Sequence, residues 1–181
     1  AIRTYPLTRV EYVLGAYLGR AVFVASVLLV TLVVAGVVGS TLAPGRTDLI
    51  AANEAADSFW LFVRFTVLTV VFGLVALAVA LAVSAAARSV RQALAVVVAL
   101  AVAFLVGIDA SVVAGLAGGL SPEVLPLTVA LSPASAFRGL VLDLVVGAVS
   151  GREAGSALAG VVGLVGWFGG SLLVAVATVW K

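Results

Sequence analysis

Residues 65–87, FTVLTVVFGLVALAVALAVSAAA, decide the fold class of this chain. The segment has no charged side chain, and about 20 apolar residues are enough for a helix to cross a hydrocarbon core of roughly 30 Å. Backbone groups in lipid have no water to bind, so a continuous apolar segment must pair its own amides and carbonyls as a helix. The segment therefore predicts a transmembrane helix.

The rest of the chain repeats this pattern. Of its 181 residues, 64% are hydrophobic and 10% are charged, whereas a soluble domain has about 25% charged residues. Three further segments are free of charge, at 21–45, 92–108 and 154–180. We predict an all-α, polytopic membrane protein with a single transmembrane domain. Its four transmembrane helices are predicted at 21–42, 61–85, 92–107 and 156–179.

Composition also excludes several functions. The basic residues are scattered, so no cluster is available to bind nucleic acid. The chain has no Cys, Met or His, and these are the residues that hold soft metals, zinc and haem. No phosphate-binding G-x-x-x-x-G-K-[ST] motif occurs. We therefore predict no catalytic residue, no metal and no cofactor, and we expect any ATP hydrolysis to occur on a separate partner.

Charge predicts the orientation. Six Lys or Arg residues lie on the side that the two chain ends share, against Glu11 alone; the other side has four Lys or Arg residues and seven acids. Short loops rich in Lys and Arg stay in the cytoplasm. We predict a plasma-membrane protein with both termini cytoplasmic. The six residues on that side are Arg3, Arg9, Arg20, Arg88, Arg91 and Lys181.

A short helix is predicted before the first span, over 6–20. Thr8 and Glu11 have the spacing of a capping box, in which each residue binds the backbone amide of the other. Apolar residues then recur at helical spacing until Arg20, where the helix runs into the span. Two interpretations are open: an interfacial helix that anchors the span, or a docking element for a cytoplasmic partner. The recurring residues are Val10, Val13, Leu14, Tyr17 and Leu18.

The outer segment 109–155 is long and largely apolar. Ser132 and Pro133 are typical of a helix start, and apolar residues at helical spacing follow. We predict a helix over 133–150 that is either interfacial or re-entrant, entering the membrane without crossing it.

Three segments resemble ABC-2 type ABC-transporter permeases. YPLTRVEYVLGAYLGR (5–20) is similar to the family segment that contacts the ATPase subunit, with Tyr5 and Ala16 at positions where the family has basic residues. LSPASAFR (131–138) is similar to its L-N-P-x-x-x-F-R segment. SAAARSVRQ (84–92) resembles its short cytoplasmic turn. Among subfamilies, the chain is most similar to NosY-like permeases of nitrous-oxide reductase maturation systems.

The resemblance implies a permease subunit that works with an ABC ATPase and a second permease copy, identical or different. Its four spans would correspond to helices three to six of six, with the first two missing. The alternative is an accessory or scaffold membrane protein without a translocation pathway. The residues that the resemblance places against the ATPase are Pro6, Thr8, Arg9, Glu11 and Tyr12.

Small residues predict close helix packing in the last span, either within the chain or against a second copy. Arg64 follows an aromatic belt, and we expect it to extend to the outer interface rather than to contact substrate. Asp109 and Asp143 are expected to be solvated or to cap helices. The predicted packing residues are Gly163, Gly166 and Gly170.

Overall fold

The computed structural model describes residues 8–42, 59–104, 117–119, 132–146 and 157–179. Three of its helices are long and apolar enough to cross a membrane, so the predicted all-α, polytopic architecture is confirmed. In chain order, the helices are α1 (Arg9–Leu42), α2 (Phe59–Ala86), α3 (Val90–Val102), α4 (Pro133–Val141), a π-helical segment (Leu142–Val146) and α5 (Ala157–Thr178).

The described part of α3 is shorter than a span. It has 13 residues, which correspond to about 20 Å of helix, and it coincides with the start of the predicted span at 92–107. The end of that span, after residue 104, lies outside the described residues. The count of four spans therefore stays a prediction.

α1 is one continuous helix of 34 residues, about 50 Å long. It includes most of the predicted segment 6–20 and all of the predicted span 21–42, without a break at Arg20. The helix before the span and the span itself are therefore one continuous helix over the described residues.

α2 and α5 form the centre of the bundle. They share the most extensive contact between helices, and both α1 and α4 pack against this pair. Val75 packs near Leu164, and Ala82 packs near Ala175, so α2 and α5 run in the same direction.

α1 runs antiparallel to this pair, since Val13 at its start packs near Ala82 at the end of α2. The bundle therefore has two distinct ends. At the end that we call the Thr8 end, α1 and α3 begin and α2 and α5 finish. At the Phe59 end, α1 finishes and α2 and α5 begin.

Glycines allow three close approaches between helices. A Cβ atom built on Gly36 would lie 2.7 Å from Cζ of Phe62, one on Gly73 would lie 2.5 Å from Cδ1 of Leu28, and one on Gly160 would lie 2.8 Å from Cγ of Leu140. Lipid tails are as apolar as Leu, so close van der Waals packing takes the place of a hydrophobic driving force between helices. These glycines therefore fix how closely α1 approaches α2 and how closely α4 approaches α5.

α4 begins as the sequence predicts. Ser132 caps it by accepting a hydrogen bond from the amide of Ser135 at 3.4 Å, and Pro133 occupies the first turn. The helix becomes π-helical at Leu142, and this π-helical segment is described as far as Val146. The remaining predicted residues, 147–150, lie outside the described residues.

The contacts of α4 show how deep it lies beside α2. Near the Phe59 end, the Leu144 carbonyl accepts a hydrogen bond from Arg64. Further in, Phe137 stacks on Phe72 with 4.7 Å between ring centroids, and Ala136 is buried in a cluster with Val75. Since Phe72 is close to the midpoint of α2, the start of α4 lies level with the middle of that helix. These contacts favour the re-entrant alternative.

The serine and threonine hydroxyl groups of α1 are paired with its own backbone, whereas the buried Thr66 hydroxyl of α2 has no hydrogen-bond partner among the described residues. Ser26 donates to the Val22 carbonyl at 2.8 Å, and Thr31 donates to the Val27 carbonyl at 2.8 Å. A polar group left unpaired in lipid is costly, and a bond to the carbonyl four residues earlier satisfies it locally. The few polar residues of α1 are therefore compatible with a lipid-facing surface.

We expect Gly160→Ala to destabilise the protein by about 1–3 kcal/mol, because overpacking a tight contact has a cost of this size. The added methyl group would meet Leu140, which is 1% exposed, and would lie 3.1 Å from the Ala136 carbonyl oxygen. Thermal unfolding of the detergent-solubilised protein measures the effect.

Gly169→Ala is the matched control on the same helix, since a Cβ atom there meets no atom within 4 Å and Ala is the better helix former. Equal melting temperatures for the two variants would contradict the close α4–α5 contact.

Candidate functional site

The first turn of α1 is fixed by a reciprocal cap, as the sequence predicts. The Thr8 amide donates to Oε2 of Glu11 at 2.7 Å, and the Glu11 amide donates to Oγ1 of Thr8 at 3.3 Å. The Thr8 hydroxyl also donates to Glu11 Oε2 at 2.8 Å. The side chains of both residues are exposed, so this turn is ordered by its own hydrogen bonds and still presents polar groups outward.

The cap also acts on the charge of Glu11. Its pKa is lowered from the ordinary value of 4.5, mainly because the carboxylate accepts the hydrogen bond from the Thr8 backbone and also that from the Thr8 side chain. Glu11 is therefore a carboxylate at neutral pH, and its negative charge lies at the positive end of the helix dipole.

Only part of the predicted apolar face of α1 is buried within the chain. Val13 and Tyr17 are 2% and 6% exposed, whereas Val10, Leu14 and Leu18 are 49%, 41% and 60% exposed. The contact follows a narrow strip at four-residue spacing. The strip meets α2 and α5, and the neighbouring face of α1 has no described helix against it.

Two contacts near the start of α1 hold it against the centre of the bundle. The Tyr17 hydroxyl donates to the Leu74 carbonyl at 3.1 Å, and its ring meets Phe168 edge-on at 5.5 Å between centroids. Tyr12 is partly buried and packs on the cluster of Val13 and its neighbours. The Thr8 end of α1 is thus joined to both α2 and α5.

A second capped helix starts at the same end. Ser89 caps α3 by accepting a hydrogen bond from the Gln92 amide at 3.2 Å, while the Gln92 side chain accepts one from the Arg88 amide at 3.0 Å. Arg9, Arg88 and Arg91 are exposed there. The structure thus brings Thr8, Arg9, Glu11 and Tyr12 to one end, together with the turn at 87–89. Pro6 lies outside the described residues.

The three predicted packing glycines of α5 line an apolar groove. The groove has a volume of about 680 Å³ and lies between α2, α3 and α5, with Gly163, Gly166 and Gly170 in its wall. Gly166 and Gly170 have no atom within 4 Å of a Cβ position, so no described helix of this chain packs closely on them. Packing against a second copy stays a prediction.

Two arginines on the opposite half have partners that the sequence does not reveal. Arg64 donates through Nη1 to the Leu144 carbonyl at 3.3 Å, so its exposed side chain holds the π-helical segment to α2. Arg138 donates through Nη2 to Oγ of Ser135 at 3.2 Å. Backbone carbonyls and small hydroxyls give no sequence signal for such contacts. Asp109 lies outside the described residues.

The described residues contain no group of three or more metal-binding side chains. The arrangement they provide is instead a bundle of apolar helices, with a polar end formed by two capped helix starts and an apolar groove near it.

The fold and this arrangement define a polytopic, helical membrane protein. The sequence model described as ABC-2 family transporter protein matches residues 4–180, so the chain belongs to the ABC-2 family and is a membrane permease component of an ABC transporter. A search of curated proteins finds no match. The likeness to NosY-like permeases is not tested by the family match and stays a prediction.

We expect the stabilising effect of Glu11 to depend on pH. Since its pKa is lowered in the folded protein, its contribution is present above the unfolded value and is lost as the pH falls through the folded value. The melting temperature of Glu11→Ala should therefore be lower than that of the parent at pH 7, and the difference should disappear at acidic pH.

Thr8→Ala is the comparison variant, because Oγ1 of Thr8 also accepts the hydrogen bond of the Glu11 amide, which does not titrate, so part of its effect should persist at acidic pH. A Glu11→Ala difference that stays constant across this range would contradict the carboxylate cap.

Proposed function

We propose that the chain couples ATP hydrolysis by a separate ABC ATPase to the transport of a substrate across the plasma membrane. The Thr8 end faces the cytoplasm, and its first turn of α1 is the ATPase contact. The observation that carries the proposal is the capped turn, which exposes Arg9 and Glu11 on a helix that continues as a span.

The packing supports a mechanical role for this turn. α1 is continuous over its described length and is joined to α2 at Tyr17 and Leu74. A push on its first turn therefore moves the centre of the bundle as a body, which is the usual mode of domain and helix displacement in such transitions. In this scheme Arg9 and Glu11 supply polar contacts to the ATPase, Thr8 fixes the turn, and Pro6 and Tyr12 pack against the partner.

Positive charge supports the orientation. Arg9, Arg88 and Arg91 all lie toward the Thr8 end, and the positive-inside rule places short loops of this kind in the cytoplasm. Both chain termini are then cytoplasmic, as the sequence analysis predicts.

A second permease copy completes the pathway in this proposal. No described helix packs closely on Gly166 and Gly170 in this wall, and small residues at four-residue spacing let two membrane helices approach closely. We propose that α5 of a second copy, identical or different, packs on this wall.

Reversing the charge of Arg9 should break the ATPase contact. We expect Arg9→Glu in the full-length protein to reduce the amount of ATPase that co-purifies by about tenfold, because a like-charge contact replaces an attractive one. Immunoblotting of the tagged complex measures the ratio of ATPase to permease.

Arg46→Glu is the matched control, since it makes the same change in a loop predicted on the other side of the membrane. The accessory or scaffold alternative would be favoured if Arg9→Glu recovered normal amounts of ATPase. It would also be favoured if no ATPase co-purified with the parent protein.

The copy-to-copy contact has a separate test. The chain has no cysteine, so Gly166→Cys gives a single thiol, and a disulfide between copies requires Cα atoms within about 7 Å. We expect mild oxidation of membranes that contain Gly166→Cys to yield a cross-linked dimer on a non-reducing gel.

The control is Gly39→Cys, on an open position of α1 with no atom within 4 Å, which should stay monomeric. Equal cross-linking of both variants, or of neither, would contradict packing of two copies through α5.

A further inference from the structure

We propose that the face of α4 that carries Arg138 borders a water-filled cavity open toward the Phe59 end. Arg138 there binds an anionic group of the transported substrate, a phosphate or a carboxylate. The inference rests on the proposed transport function, and it adds the chemical class of the substrate and the residue that meets it.

In this proposal Arg138 lies well inside the membrane. Arg64 precedes the charge-free segment of α2 and lies level with Leu144, whereas Ala136 lies level with Val75. The 11 residues from Arg64 to Val75 correspond to about 16 Å of helix, roughly half of a 30 Å hydrocarbon core. The turn of α4 that contains Ser135 and Arg138 is thus in the inner part of the outer membrane half.

The side chain of Arg138 points toward the start of α4. An arginine in a membrane helix normally extends toward the nearer interface. Arg138 instead turns toward the start of α4, where its Nη2 donates to Ser135 Oγ at 3.2 Å. Ser135 is 5% exposed and lies one helical turn deeper, so the guanidinium is held away from the interface.

The side of α4 that carries Arg138 faces neither α2 nor α5. Ala136 and Leu140 face α5 and the centre of the bundle, and Phe137 faces α2. Arg138 and Leu142, which follow each other at four-residue spacing, are on the remaining side and are exposed. Arg138 makes at least one further interaction within the chain, and its side chain nevertheless remains exposed.

These three observations favour water over lipid beside Arg138. A guanidinium at this depth is strongly disfavoured against acyl chains, and such residues face a bundle interior or a water-filled cavity. A planar guanidinium with several donors matches phosphate and carboxylate oxygens, and its charge acts strongly where the surrounding dielectric is low. The cavity beside α4 therefore attracts anions.

Arg64 has a different role, although it is also exposed. Its position before the apolar segment lets it reach the interface, and its bond to the Leu144 carbonyl fixes the outer end of α4. It is a positioning residue for the face that carries Arg138.

Thiol accessibility tests for the water-filled cavity without requiring transport. In intact cells that express the full protein complex, we expect Leu142→Cys to react with a membrane-impermeant methanethiosulfonate reagent. Val67→Cys is the matched control, because Val67 is similarly exposed within the chain, 55% against 46% for Leu142, and lies at about the same depth on α2. Equal protection of both thiols would overturn the cavity.

The charge of the reagent tests the anion preference. We expect Leu142→Cys to react about fivefold faster with the anionic sulfonatoethyl reagent than with the cationic trimethylammonioethyl reagent, relative to their rates with a free thiol. Adding Arg138→Gln should abolish this preference, and Arg138→Lys should retain it. A preference that survives Arg138→Gln would overturn the assignment to Arg138.

A last comparison separates substrate from lipid as the source of the anionic group. In the reconstituted complex, the preference should be the same in phosphatidylcholine vesicles and in vesicles that also contain phosphatidylglycerol. A preference that falls when phosphatidylglycerol is added would assign Arg138 to lipid headgroups and overturn the proposal. None of these rates depends on the ATPase. The anion preference can therefore be contradicted while the ATPase contact holds, and the ATPase contact can be contradicted while the anion preference holds.

Discussion

The architecture depends on how closely helices can approach one another where no water drives them together. Lipid is as apolar as the helix surfaces, so association rests on van der Waals contact and on hydrogen bonds between helices. This chain obtains that contact at small residues. Ala78, Ala136 and Ala175 are completely buried, and Gly73 and Gly160 leave no room for a Cβ atom. The positions of α1 and α4 follow from these few sites.

The need to pair backbone groups also bears on the start of α4, which is predicted to be interfacial or re-entrant. A helix that starts inside a membrane exposes unpaired amides. Here Ser132 caps the first turn and is itself fully buried, and Pro133 has no amide to satisfy. At the far end, Arg64 satisfies a carbonyl of the π-helical segment. The first turn of α4 is therefore closed by a side chain, and a carbonyl of the described π-helical segment is paired with Arg64.

Sequence patterns predicted the elements better than the contacts between them. Charge-free length located α1, α2 and α5, and the spacing of Thr8 and Glu11 predicted a cap that the structure contains, because both signals are local. The partners of Tyr17 and Arg64 are backbone carbonyls, which every residue offers, so no side-chain pattern could indicate them. Glycine spacing indicated close packing, but it did not distinguish Gly160, which contacts a helix of the same chain, from Gly166, which lines an open groove.

The turn between α2 and α3 has a mechanical consequence. Only residues 87–89 separate the two helices, and both Ser89 and Arg88 are tied to Gln92 in the first turn of α3. Because this connection is short and is hydrogen-bonded to the first turn of α3, the helical hairpin of α2 and α3 has little freedom to bend. α2 and α3 also form two walls of the apolar groove. A displacement of Arg88 is therefore transmitted to both of these walls, and through the extensive contact of α2 with α5 to the third wall as well.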